Sequence, residues 1–258
     1  MLTFGEERKM IKVVYHSDYT QEYTSDPAAE PGRMESIVEA LQGRVEWVEP
    51  QPATPEQISL AHAPAHMEQV KARGLVPIAA LAAGGALQAA RLGLAEPAFA
   101  LIRPPGHHAS GDHSWGFCYF NNMAIALLTL KEEGLIRKAL VLDIDLHFGD
   151  GTVNILGQKP WVEIFNFSAR SRDAYLQQVE QSLRDVRVDL IGISAGFDYH
   201  QDDWGGLLAT EDYRTIGAMA RKAALACRGG CFAILEGGYN HQVLGSNTAA
   251  LLDGLASF

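Results

Sequence analysis

Short, almost wholly apolar runs alternate along this chain with longer stretches whose apolar residues recur at helical spacing. "IKVVYH" (11–16) is β-branched, brief and closed by a polar turn, which predicts a buried strand. "PGRMESIVEALQG" (31–43) opens on Pro31, repeats apolar residues at helical spacing and stops at Gly43, which predicts a helix. "RVEWV" is a second short strand, followed by helical stretches around 64–73 and 77–93, the latter rich in alanine. The same reading gives strands over 98–102, 138–144, 161–167, 188–195 and 230–236. Helices fall over 122–134, 173–185, 211–226 and 241–256. Strands that are apolar on both faces and alternate with helices predict an α/β fold with a parallel sheet covered on both sides. No repeat, low-complexity tract or linker interrupts the pattern, so one domain over 1–258 is expected.

The polar residues gather where the strands end. After "AFALI" comes "RPPGHHASGDHSWGFCYFNN", and after "KALVL" comes "DIDLHFGDGT". "LIGISA" is followed by "GFDYHQDD", and "CFAILE" by "GGYNH". Four strands thus each release a glycine-containing loop carrying His, Asp or Tyr, at the sheet edge where open parallel α/β folds bind their ligands. A site is expected there.

Composition narrows the partners. With 31 acidic against 21 basic residues the net charge is −10, which disfavours a nucleic-acid backbone and mildly favours a cationic ligand. Cys118, Cys227 and Cys231 form no CxxC pair, arguing against a disulfide framework or structural zinc knuckle. No run looks apolar for long enough to span a bilayer, and the N-terminal "MLTFGEERKMIK" is charged where a signal peptide needs its apolar stretch. A cytoplasmic protein without membrane or nucleic-acid partner is expected; the number of associated chains is not readable.

"DIDLHFGD" packs Asp143, Asp145, His147 and Asp150 into eight residues. Carboxylates this dense repel one another unless a cation sits among them. In an extended segment the i, i+2 spacing points Asp145 and His147 the same way. With Asp198 from the next converging loop they offer two carboxylates and an imidazole, a three-ligand set that leaves room for water. Zinc is the first choice; the oxygen-rich set leaves iron(II), cobalt or manganese open. Each element also has a plainer reading: a DxD pair can cap a turn, adjacent histidines are often surface residues, and a tyrosine can be core. The combination favours chemistry. His107 and His108 can accept and return protons, with Asp143 and Asp150 available to fix their tautomers. Tyr239, after a double glycine that lets its loop approach closely or move, can donate to an oxyanion.

"RPPGHHA", "GFCYFNN", "DIDLHFGDGT", "GFDYHQDD" and "LEGGYN" together resemble the zinc-dependent histone deacetylase family, with its bacterial members and acetylpolyamine amidohydrolases. The likeness covers roughly residues 98 to 258, with weaker echoes at "VVYHSDY" and "AEPGR". It implies a three-layer α/β/α, arginase-like fold with a mostly parallel central sheet, and hydrolysis of an N-acylated amine such as acetyl-lysine or an acetylpolyamine. By the family's pattern, Asp145, His147 and Asp198 hold the metal. His108 backed by Asp150 is the general base, and His107 backed by Asp143 its electrostatic partner. Tyr239 polarises the acyl carbonyl from a flexible loop containing Gly237 and Gly238. Phe117, beside Gly116, is one aromatic wall of the substrate tunnel. A potassium ion would use Asp143 with the backbone carbonyls of Asp145 and His147, completed by Asn166 and Phe167.

Two departures stand out. "KARGLVPIAALAAGG" is short and lacks the acidic residue with which relatives grip substrate backbone. "ARSRDAYLQQ" replaces the Pro-Gly-Thr-Gly loop and second aromatic wall that follow "IFNFS" in relatives. A more open tunnel mouth and a small or loosely gripped substrate are therefore expected. The competing readings are a two-manganese ureohydrolase, a phosphotransferase with Asp143 as nucleophile, and an inactive small-molecule binding protein on the same fold.

Overall fold

A computed structural model describes residues 10–257. The charged N-terminal stretch that argues against a signal peptide lies largely outside the described residues, as does Phe258. The seven strands found among those described are β1 (Ile11–Val14), β2 (Val45–Val48), β3 (Ala98–Ala100), β4 (Ala139–Asp143), β5 (Val162–Asn166), β6 (Leu190–Ala195) and β7 (Gly230–Leu235). They form one sheet in the order β2-β1-β3-β7-β6-β4-β5, and every pairing is parallel. The expected "mostly parallel" sheet is thus parallel throughout the described residues, because every connection between its strands is long enough for a crossover.

The helices are α1 (Arg33–Leu41), α2 (Pro55–Ser59), α3 (Pro64–Ala72), α4 (Val76–Gly93), α5 (Asn122–Glu132), α6 (Asp150–Leu156), α7 (Arg172–Leu183), α8 (Thr210–Cys227) and α9 (His241–Leu255). α4 packs on β1, β3 and β7 and against α5, while α1, α9, α8 and α7 pack in a row with α8 on β6 and β7. β4, β6 and β7 are buried at every position, which explains their unbroken apolar runs.

Some boundaries move. The first helix begins at Arg33 rather than Pro31, because Gly32 takes a left-handed conformation (φ 88°) ahead of it. α2 and α6 go beyond the periodicity reading. α6 is seven residues long and starts inside "GDGT", whose glycines read as loop. α2 is shorter still, yet its "TPEQ" start forms a capping box. Gln57 N–H donates to Thr54 Oγ1 (3.3 Å) and Thr54 N–H to Gln57 Oε1 (2.9 Å). The absence of any bilayer-length apolar run also needs correcting. By length and composition α4 could cross a membrane, but it is a mostly buried core helix.

Candidate metal centre and proton relay

The four loops expected at the strand ends do converge. The strands they leave, β3, β7, β6 and β4, are consecutive in the sheet. A pocket of about 110 Å³ opens over them, lined from the first loop by Pro105, His107, His108, Trp115, Gly116 and Phe117. His147, Trp204, Gly237 and Tyr239 come from the other three.

Asp145, His147 and Asp198 meet at its floor, each with one ligand atom within 4.8 Å of the others'. The segment after β4 is bent rather than extended, so the i, i+2 argument reaches the right pair by the wrong geometry. Asp145 Oδ1 accepts the His147 N–H at 2.9 Å, an Asx-type turn that folds the imidazole back onto the carboxylate. His147 Nδ1 then lies 3.2 Å from Asp145 Oδ1 and 3.0 Å from Asp198 Oδ2. Backbone donors fix the outer oxygens: Gly237 N–H on Asp145 Oδ2 (2.8 Å) and Leu146 N–H on Asp198 Oδ1 (3.0 Å).

Asp198 Oδ2 is buried and, although close to His147, is out of line for a hydrogen bond with any partner. An orphaned carboxylate oxygen turned toward a second carboxylate and an imidazole fits a divalent cation. The local electrostatics agree. Burial, followed by the charge of Asp145, pushes Asp198 up to about 7. The adjoining Asp145 and Asp198 carboxylates push His147 up to about 10, a sign of the negative charge crowded around this ring.

Above the floor the paired histidines have separate partners. His107 Nδ1 lies 3.1 Å from Asp143 Oδ2, and His108 Nδ1 lies 2.7 Å from Asp150 Oδ1. Burial disfavours charge on His107, but Asp145 and Asp143 outweigh it and hold the ring well above the ordinary histidine range. Burial and the neighbouring His107 push His108 down to about 4. One ring is thereby cationic and the other neutral, 4.0 Å apart between centroids. Burial, followed by the charge of Asp145, raises the Tyr239 phenol, so its hydroxyl remains a donor.

Gly116 and Phe117 both have positive φ (57° and 67°), which turns the Phe117 ring into the pocket against Tyr239, 6.0 Å between centroids. Gly237 serves close approach: a Cβ there would lie 2.5 Å from Asp145 Oδ2 and 2.8 Å from Asp198 Oδ2. Instead of a loose double-glycine loop, the tyrosine segment is tied on both sides. Arg33 donates to the Glu236 and Gly238 carbonyls (2.6 and 2.8 Å), and Asp203 Oδ2 accepts the Tyr239 and Asn240 N–H groups (2.8 and 2.7 Å). Asn166 is the register partner of Asp143, but its amide oxygen takes the Gly149 N–H at 2.7 Å; Phe167 is buried.

Sequence reasoning assigns no role to Arg33, Glu236, Asp203, Trp115 or Trp204. Glu236 is wholly buried, accepts the Gly106 and His107 N–H groups (2.7 and 3.2 Å), and pins the loop that carries both histidines. Its signal is an acidic residue closing an otherwise apolar strand in "AILEGG". That of Arg33 is a charged residue inside the "AEPGR" echo.

The histone deacetylase domain model matches residues 72–175 and 168–255 of this sequence. The chain belongs to the histone deacetylase family. A family member from Methanothermobacter thermautotrophicus, described as a probable deacetylase, is 30% identical over 87% of this chain and 84% of its own length. A histone deacetylase-like amidohydrolase of Pseudomonas aeruginosa is 29% identical over 81% of this chain and 70% of its own. Among solved structures, the HDA15 HD domain superposes with a TM-score of 0.82, covering 96% of this chain and 90% of that one at 23% identity. This histone deacetylase-family chain therefore has the α/β fold of the deacetylases, and its family places it among the deacetylases and amidohydrolases.

Proposed function

We propose that the protein is a metal-dependent amidohydrolase that removes an acetyl or other short acyl group from an N-acylated amine, acetyl-lysine or an acetylpolyamine being the reference substrates. The observation that carries this reading is the placement of one Asp-His-Asp cluster beside two separately partnered His–Asp pairs and a tyrosine around a single pocket. Asp145, His147 and Asp198 would hold the ion, with zinc preferred and iron(II) or cobalt as alternatives. Bound there, it supplies Lewis acidity and a positive charge that favours ionised water and polarises a carbonyl.

The chain's own groups do the rest. His108, neutral and held by Asp150, accepts the proton of the attacking water and returns it to the departing amine. His107, kept cationic by Asp145 and Asp143, balances the negative charge that develops beside it. Tyr239 donates its hydroxyl hydrogen to the acyl oxygen as that oxygen gains charge. Asp143, with the backbone carbonyls of Asp145, His147, Asn166 and Phe167, would hold the potassium ion that the family pattern implies. Among the described residues one three-ligand cluster is found, which favours this reading over a two-metal ureohydrolase.

The test is turnover of a fluorogenic acetyl-lysine amide and of acetylated polyamines before chelation, after chelation and after zinc is restored. Activity lost to the chelator and regained with zinc is expected. Absence of turnover on every acylated amine by metal-loaded protein would overturn the reading in favour of a binding protein.

A further inference from the structure

The two histidine–aspartate pairs stand side by side, and their carboxylates are held differently. Asp143 is buried, and its second oxygen accepts the Asp145 N–H at 3.2 Å. Asp150, at the first residue of α6, has a side chain 30% exposed. Its Oδ1 faces His108 Nδ1 at 2.7 Å, and its Oδ2 accepts the indole N–H of Trp115 at 2.8 Å. The same indole lies on the His108 ring, with 3.9 Å between centroids and 32° between planes. One side chain thus touches both members of the pair, and no step of the proposed chemistry uses it.

The loop is folded to put it there. Ala109 bridges antiparallel to Ser114, and the Ser110 N–H donates to the His113 carbonyl at 2.8 Å. The chain therefore doubles back and delivers Trp115 beside His108. The Cys118 N–H then closes a turn on the Trp115 carbonyl at 3.0 Å, and a Cβ on the intervening Gly116 would collide with His108 Cδ2.

A carboxylate as exposed as Asp150 is free to turn toward water, and its imidazole then loses what fixes its tautomer. For His108 to accept a proton at Nε2, its own hydrogen must sit on Nδ1, facing Asp150. Trp115 occupies the carboxylate oxygen that His108 leaves free and covers the ring, which is itself buried. Burial raises the Asp150 carboxyl, but the hydrogen bonds from Trp115 and then His108 outweigh it and hold the group below its ordinary value.

We propose that Trp115 is a positioning residue for the general base: its indole N–H fixes Asp150, and through Asp150 the tautomer and orientation of His108. This inference rests on the amidohydrolase reading above.

The experiment uses Trp115→Phe, which keeps an aromatic ring over His108 but removes the N–H, alone and combined with Asp150→Asn. Zinc-loaded proteins are assayed on an acetyl-lysine amide and an acetylated polyamine, with each unfolding transition recorded. Trp115→Phe should lower kcat by roughly tenfold, to the same extent on both amines and with KM little changed, as for loss of an orienting outer contact. In the Asp150→Asn background the same change should cost less than about twofold, because the indole acts through that carboxylate. A second readout needs no turnover. In ¹⁵N-histidine spectra of the zinc-loaded protein at neutral pH, His108 is identified by its loss in His108→Gln. It should show one tautomer, protonated at Nδ1, in wild type and a mixture in Trp115→Phe.

A folded Trp115→Phe with wild-type kcat would overturn the proposal, as would a loss confined to KM and differing between the amines, or an equal loss on the Asp150→Asn background. Each of these leaves the amidohydrolase reading intact. Wild type inactive on every acylated amine would remove that reading, and the spectra then decide: an unchanged His108 signal in Trp115→Phe overturns the positioning role, and a mixed one supports it.

Discussion

Glu236 gives a sharp test of how this site is built, because it sits wholly buried behind the paired histidines. Its Oε2 accepts the Gly106 and His107 N–H groups, and its Oε1 accepts the Ser194 hydroxyl at 3.2 Å. Burial outweighs the nearby His107 charge and pushes the carboxyl from 4.5 up to about 7. In the unfolded chain it ionises near the ordinary value, so between about pH 4.5 and 7 the native state retains a proton that the unfolded state has lost. A raised carboxyl pKa thus makes stability fall with rising pH across that window. At roughly 1.4 kcal/mol per pH unit the loss amounts to about 3 kcal/mol.

Glu236→Gln abolishes the titration while preserving the contacts, because the amide oxygen can face the two N–H groups and the amide nitrogen can donate to Ser194 Oγ. The expected result is that the Glu236→Gln variant gains on wild type by about 3 kcal/mol between pH 4 and pH 8, read from denaturant unfolding of chelator-treated protein. A difference that stays flat over that range would refute the account. Glu236→Ala should behave otherwise: two buried N–H groups lose their acceptor, costing about 1–3 kcal/mol each at any pH.

Tyr239→Phe should leave metal content unchanged and cut turnover roughly 10²-fold or more, as for loss of an oxyanion donor; unaltered turnover would make the tyrosine structural. Asp198→Ala should lose the metal, measured by elemental analysis after gel filtration, because it deletes the carboxylate whose inner oxygen has no other partner. Asp150→Asn should reduce turnover by roughly 10²–10⁴ with KM little changed, because it disturbs the tautomer of His108 and the second contact to Trp115.

The strand-and-helix order is legible in the sequence because the central strands β3, β7, β6 and β4 are buried on both faces and most helices run for several turns. The loops are legible as a site because His, Asp and Tyr recur after strand ends. What escapes has weak local signals. α2 and α6 are too short for periodicity, and the part of Asp203 emerges only when α9 turns its N-terminus toward the β6–α8 loop. Trp115 announces nothing by itself; its tie to Asp150, 35 positions on, exists only in the fold. The expected open mouth follows from missing segments, whereas Trp115 lies in a loop that the motifs include without giving it work.

The tie between Gly237 N–H and Asp145 has a wider meaning. It makes the ligand carboxylate and the tyrosine segment parts of one stiff unit, locked further by Arg33 from beneath and Asp203 from the side. Little geometry is left to adjust when charge shifts during turnover. Such a floor has no slack for remodelling, so a lineage altering what this scaffold accepts would have to edit the loops at the entrance and leave the base untouched.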